Sequence, residues 1–220
     1  MKTLFRSILL LACALLSFTQ ASADPITFHV SINTTPIAGT SGFLAFDLLG
    51  GSPLQGNTAT IVAFATTGVL GSSSTSGNVT GSLTSPPLIL TTSVFFNEFL
   101  QGITFGSGLT TFDLTLSSNF LAGSTPDSFS FFLLDSTFNP FTTSDPSGAN
   151  AMFVIDITGT ITPTVFTSAF ATVTVTQAGP GAVPEPVTVL LLGSGLGGLA
   201  ALQLRKLRHR EGKVSDRLQE

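Results

Sequence analysis

From residue 24 to about residue 177, apolar side chains recur at every second position, in short runs broken by Gly, Ser, Asn and Pro. Alternation of that kind is the signature of a strand with one buried and one wet face, and no long 3.6-residue pattern competes with it. Ile26, Phe28, Val30 and Ile32 alternate with Thr27, His29 and Ser31. Phe112, Leu114 and Leu116 alternate with Thr111, Asp113 and Thr115, while Phe153, Ile155 and Ile157 leave Asp156 on the opposite face. Ala171, Val173 and Val175 alternate with Thr172, Thr174 and Thr176. Further strands are predicted at 42–49, 58–66, 94–105 with a break near Gln101-Gly102, and 128–134. About eight to ten such strands predict an all-β, antiparallel β-sandwich or jelly-roll-like domain over 24–177. The Gly/Ser/Thr-rich stretch 68–87 reads as a mobile hairpin or loop, and no internal repeat is visible.

The chain has 220 residues, room for one ordinary domain and targeting segments. Its 8 Lys and Arg lie at Lys2 and Arg6 or from Arg205 onward, so the span 7–204 holds no permanent cation. The acids of that span are Asp24, Asp47, Glu98, Asp113, Asp127, Asp135, Asp145, Asp156 and Glu185, and none has a Lys or Arg to pair with. Nucleic acid is disfavoured as a partner, because a phosphate backbone is neutralised by Lys and Arg. The one cysteine, Cys13, lies in the N-terminal apolar run, so the domain has neither disulfides nor thiolate metal ligands. Packing of Phe, Leu, Ile and Val must supply its stability.

The two ends read as targeting segments. Lys2 and Arg6 precede an apolar run at 7–18, and Ala21-Ser22-Ala23 gives the small-x-small pattern of signal peptidase cleavage, which predicts a signal peptide over 1–23. Export then runs through the Sec translocase. Two other readings stay open: an uncleaved anchor, for which the run is short, and lipid modification at Cys13, since Leu10-Leu11-Ala12-Cys13 resembles a lipoprotein cleavage box. Near the other end, Val183-Pro184-Glu185-Pro186 is followed by the uncharged run 187–204 and then by Arg205, Lys206, Arg208, His209 and Arg210. As a helix the run reaches about 27 Å against a hydrocarbon core of about 30 Å. Gly193, Gly195, Gly197 and Gly198 weaken a helix in water, but a bilayer forces backbone groups to pair and small residues allow close helix contact. The alternative is a buried core helix. Cations just after the run fit the positive-inside rule and make 205–220 a basic cytoplasmic tail, with Arg205, Lys206, Arg208 and Arg210 as the membrane stop. Residues 178–186, with Gly179-Pro180-Gly181, read as a linker that ends in the Pro-Glu-Pro motif. Pro184 and Pro186 keep that motif extended.

Taken together, Val183-Pro184-Glu185-Pro186, the glycine-containing apolar run and the basic cluster resemble the PEP-CTERM sorting signal of bacterial proteins. The resemblance covers roughly residues 182–210. It implies a Gram-negative-type envelope, an inner-membrane precursor with a cytoplasmic C-terminus, removal of the tail near Glu185 by an exosortase, and delivery to the cell surface or an exopolysaccharide matrix. The mixed-charge segment 211–220 is longer than the family's short basic ends. Residues 38–47, Ala-Gly-Thr-Ser-Gly-Phe-Leu-Ala-Phe-Asp, resemble the start of a β-rich ectodomain found among PEP-CTERM proteins, a group that brings no activity to transfer.

No motif names a reaction, and the domain is expected to be non-catalytic and without cofactor or metal. Its one histidine, His29, is predicted on a wet strand face, with no Gly-x-Ser-x-Gly elbow and no lysine to serve a serine nucleophile. Asp47, Glu98, Asp113, Asp135 or Asp156 could supply the two carboxylates of a hydrolase, yet each reads as a strand-face or turn residue. Loop carboxylates and carbonyls around Asp127, Asp135, Asp145 and Asn150 could ligate calcium, but no ligand spacing of a calcium loop is present, so they read as turn residues. Sugar binding fits a matrix destination, but the chain has no Trp or Tyr, leaving Phe95, Phe96 or Phe141 to stack on a sugar. A module binding extracellular polysaccharide is therefore the alternative function, and a carboxylate-based hydrolase the third. The sequons Asn33-Thr34-Thr35 and Asn78-Val79-Thr80 leave glycan attachment open.

Overall fold

The computed structural model describes residues 24–179. They form twelve strands and one short 3-10 turn: β1 (Ile26–Asn33), β2 (Ser41–Leu49), β3 (Thr58–Thr66), β4 (Val69–Ser76), β5 (Val79–Thr80), β6 (Leu88–Thr91), β7 (Phe96–Thr104), β8 (Leu109–Leu116), β9 (Asp127–Asp135), β10 (Phe153–Ile157), β11 (Pro163–Val165) and β12 (Thr172–Gln177). Among the described residues no helix is long and apolar enough to cross a membrane. The signal peptide, sorting motif, apolar run and basic tail expected from the sequence lie outside the described residues.

The strands make two antiparallel six-stranded sheets, β12-β1-β8-β3-β6-β5 (sheet A) and β11-β10-β9-β2-β7-β4 (sheet B). Three pairings are nested: β1 with β8, β2 with β7, and β3 with β6. The alternation read from the sequence fixes which face of each strand turns inward. Phe28, Val30 and Ile32 of β1, Phe112, Leu114 and Leu116 of β8, and Phe129, Phe131 and Leu133 of β9 are buried in one shared core. At its centre Phe46 of β2 sits edge-on to Phe112 of the facing sheet and Phe131 of its neighbour, with ring centroids 5.3 and 5.0 Å apart. Such pairs add about 0.5–1.5 kcal/mol each beyond area burial. In a domain without Lys, Arg or disulfides, burial of this shared core of Phe, Leu, Ile and Val is the main stabilising term.

Two sequence expectations are corrected. The strand predicted over 94–105 has no break at Gln101-Gly102; β7 is continuous, and the irregularity falls in β4, whose register shifts between Leu70 and Ser73. Gly102 permits this, since a Cβ there would come within 3.0 Å of the Ser72 carbonyl oxygen, and the Gln101 amide donates to the Gly71 carbonyl at 2.8 Å. Residues 68–87, expected as one hairpin or loop, instead give β4 to sheet B and β5 to sheet A, so the chain changes sheet at Gly77-Asn78. The short strands β6 and β11 also had no predicted counterpart.

Most loops gather at two ends of the sheets. Residues 50–57, 92–95, 117–126 and 158–162 gather at the end where the chain enters at Asp24 and leaves β12 at Gln177. The backbone amide of Ala178 donates to the Thr27 carbonyl at 2.8 Å, and the Ser118 hydroxyl donates to the Asp24 carbonyl at 3.0 Å. Both described termini are thus tied to the same end.

Candidate functional site

Three groups of polar side chains stand out, and each is built by strand register. On the outer face of sheet B, Asp47 of β2 lies directly opposite Glu98 of β7, with Ser130 of β9 on its other side. Period two puts Phe43, Ala45, Leu49, Leu100 and Phe132 on the same face, so the two acids sit in apolar surroundings. Asp47 Oδ1 is buried and has no hydrogen-bond partner. Burial, reinforced by the Glu98 charge, pushes the Asp47 carboxyl up to about 7; burial also raises Glu98. Two carboxylates facing each other cannot both ionise cheaply, so the pair retains a proton well above the usual carboxylate range.

On the outer face of sheet A, His29 of β1 faces Asp113 of β8, and Nδ1 lies 2.8 Å from Oδ1. Both groups are exposed, at 58% and 37% of the side chain. Nearby hydroxyls are engaged elsewhere: Thr176 donates to the His29 carbonyl oxygen and Thr27 bonds Thr115. His29 therefore stands on the wet face that the alternation predicts, with a carboxylate partner that periodicity alone does not reveal.

The third group is at the end where the chain enters and leaves. Asp127 is fully buried, and its carboxylate accepts from the Gly51 amide (2.6 Å), the Asn57 side-chain amide (3.0 Å) and the Thr92 hydroxyl (2.6 Å). Asn57 in turn accepts from the Asn119 amide at 2.8 Å, and Gln55 accepts from Leu121 while donating to Ser124. One carboxylate thereby ties together the loops 50–57, 92–95 and 117–126. Gly51 is needed for this closeness, because a Cβ there would meet the Thr125 carbonyl oxygen at 1.9 Å. The sequence reads Asp127 as a turn residue rather than a calcium ligand; the structure makes it a buried acceptor at the start of β9 whose oxygens are already used.

The remaining candidates are scattered. Asp135 lies in a turn where the backbone amide of Asn139, with Thr137, holds its carboxyl below the usual range. For Asp145, slight burial pulls upward but is outweighed by hydrogen bonds from Ser147 and Ala151, so its carboxyl is also lowered. Asn150 accepts from the Thr143 amide within the same loop. Among the described residues no three His, Cys, Asp or Glu side chains converge as a metal site. Of the five hydrolase candidates only Asp47 and Glu98 meet: Asp156 shares the outer face of sheet B but stands two strands from Asp47, Asp113 is on sheet A, and Asp135 is in a turn at the end of β9. Phe95 is 67% exposed and Phe96 also faces solvent, whereas Phe141 packs between Phe105 and Phe170. Ala21, Ala23, Val183, Pro184, Glu185, Pro186, Arg205, Lys206, Arg208 and Arg210 lie outside the described residues.

No family model, curated protein or solved structure matches the chain.

Proposed function

We propose that this chain is a non-catalytic, exported bacterial surface or extracellular-matrix protein, with a jelly-roll-like ectodomain held at the inner membrane by its C-terminal segment until an exosortase cuts near Glu185. The observation that carries this is the order of Pro184-Glu185-Pro186, the uncharged run 187–204 and the basic cluster from Arg205. The nested strand pairing supports the jelly-roll reading. The end of β12 at Gln177 supports access to the motif, since the last sheet hydrogen bonds lie a few residues before Val183. Sec translocase, signal peptidase, exosortase and membrane lipid are the partners this route requires. Deleting the exosortase gene should leave an uncut, membrane-bound form; unchanged mass and location in the deletion strain would remove the sorting proposal.

A second reading is a polysaccharide-binding module, favoured by the solvent-facing ring of Phe95. Titration calorimetry of the released form against the cell's own polymer separates the two, with absence of heat counting against binding.

A further inference from the structure

The end of the sandwich that ties down both described termini also carries a crown of exposed apolar side chains. Leu54 stands on the loop 50–57, Val94 and Phe95 on 92–95, and Phe120 and Leu121 on 117–126, with Phe96 at the start of β7 beside them. Phe95 and Leu121 are the most open, at 67% and 59%. Large apolar groups scattered singly on a surface need no explanation, but a group drawn from three neighbouring loops does. These loops cannot fold their apolar tips inward, because the Asp127, Asn57, Thr92 and Gln55 hydrogen bonds fix them from beneath. The far end also exposes apolar side chains, Val69 at 72%, Phe138 at 57% and Leu109 at 51%, although Phe138 stacks on Phe43 at 4.3 Å and Phe170 lies 5.0 Å from Phe141; what sets the crown apart is that both described termini are tied to its end.

From this we infer that the crown is a lipid-contacting surface, which rests on the bilayer interface while the precursor is anchored. The inference rests on the membrane reading of residues 187–204. Its geometric basis is the tether: the chain leaves this end at Gly179, and the seven residues 180–186 separate it from Val187, so the two lie at most about 28 Å apart when fully extended. The end that carries the crown is therefore the one held close to the start of the apolar run. The crown and its loops carry no Lys or Arg, so attraction to anionic headgroups plays no part and insertion of apolar side chains is the only driving force. Binding should accordingly persist in zwitterionic lipid and change little with salt. After cleavage near Glu185 the tether is lost, and the crown alone releases the domain more readily than the anchored chain.

The chain contains no Trp and no Tyr, so a single introduced indole reports without background. Three full-length variants, Phe95→Trp in the crown, Leu196→Trp in the apolar run and Leu109→Trp at the far end, are reconstituted separately in phosphatidylcholine vesicles with brominated acyl chains. The expected result is quenching of Phe95→Trp, strongest when bromine lies near the carbonyl end of the chain. Leu196→Trp should be quenched most by bromine near the bilayer centre, and Leu109→Trp not at all. If Leu196→Trp is quenched and Phe95→Trp is not, the crown proposal falls while the anchor survives. If neither is quenched, both fall. Blue-shifted but unquenched Phe95→Trp means that protein covers the crown, and quenching at all three positions means non-specific adsorption; either overturns the inference.

Discussion

The outer faces of the two sheets carry matching devices in opposite settings. Each has a pair of titratable side chains facing one another across adjacent strands, Asp47 with Glu98 on sheet B and His29 with Asp113 on sheet A. On sheet A the groups are complementary, open to water and surrounded by threonines that alternate with the core residues. On sheet B the groups have the same charge and are hemmed in by Ala45, Leu49, Leu100 and Phe132. The difference shows that a polar residue on an outward strand face is not thereby a solvated one. What lies on the neighbouring strands decides how much it costs to ionise.

The largest effect expected from this contrast is on stability as a function of pH. In the unfolded chain Asp47 titrates near its ordinary 3.8, while in the fold burial and then Glu98 push it up to about 7. Below the unfolded value both states hold the proton, and between the two values the folded state alone does. Stability therefore falls as pH rises through that window, by on the order of 4 kcal/mol when complete. Asp47→Asn should remove most of the fall, matching the parent in acid and exceeding it in denaturant midpoint at pH 8. A parent whose midpoint rises from pH 4 to pH 8 contradicts the assignment.

A smaller effect is expected from Glu98→Gln. Removing the facing charge should lower the Asp47 midpoint only part of the way towards 3.8, because burial is the larger cause. Carboxyl carbon titration by NMR reads this directly, and an Asp47 midpoint that returns fully to the ordinary value would assign the shift to the pair alone. The smallest effect belongs to the other face. His29→Ala or Asp113→Asn should move stability by less than about 1 kcal/mol, as exposed cross-strand polar pairs generally do. A loss of several kcal/mol in urea unfolding would erase the contrast between the faces.

Much of the sheet architecture was legible because its central strands are buried on one side only. Phe28-Val30-Ile32, Phe112-Leu114-Leu116 and Phe153-Ile155-Ile157 all turn inward as their alternation predicts. β4 was hidden for the converse reason: an edge strand of Val, Leu, Gly, Ser and Thr, wet on nearly its whole length, has no alternation to read. β6 and β11 are too short to show a period. The meeting of Asp47 with Glu98 depends on the register of β2 against β7, which pattern within either strand does not encode. The role of Asp127 was hidden in the same way. As an acid beside a loop it reads as a turn residue, and only the approach of Gly51, Asn57 and Thr92 reveals it as the pin of three loops.

The sorting proposal is tested most directly by weighing the protein from membrane and extracellular fractions of the same culture, with both chain ends identified by mass spectrometry. Expected are a membrane-bound form that retains Glu220 and a released form that begins near Asp24 and ends near Glu185. A single species, retaining Glu220 and recovered in the soluble fraction, would contradict it.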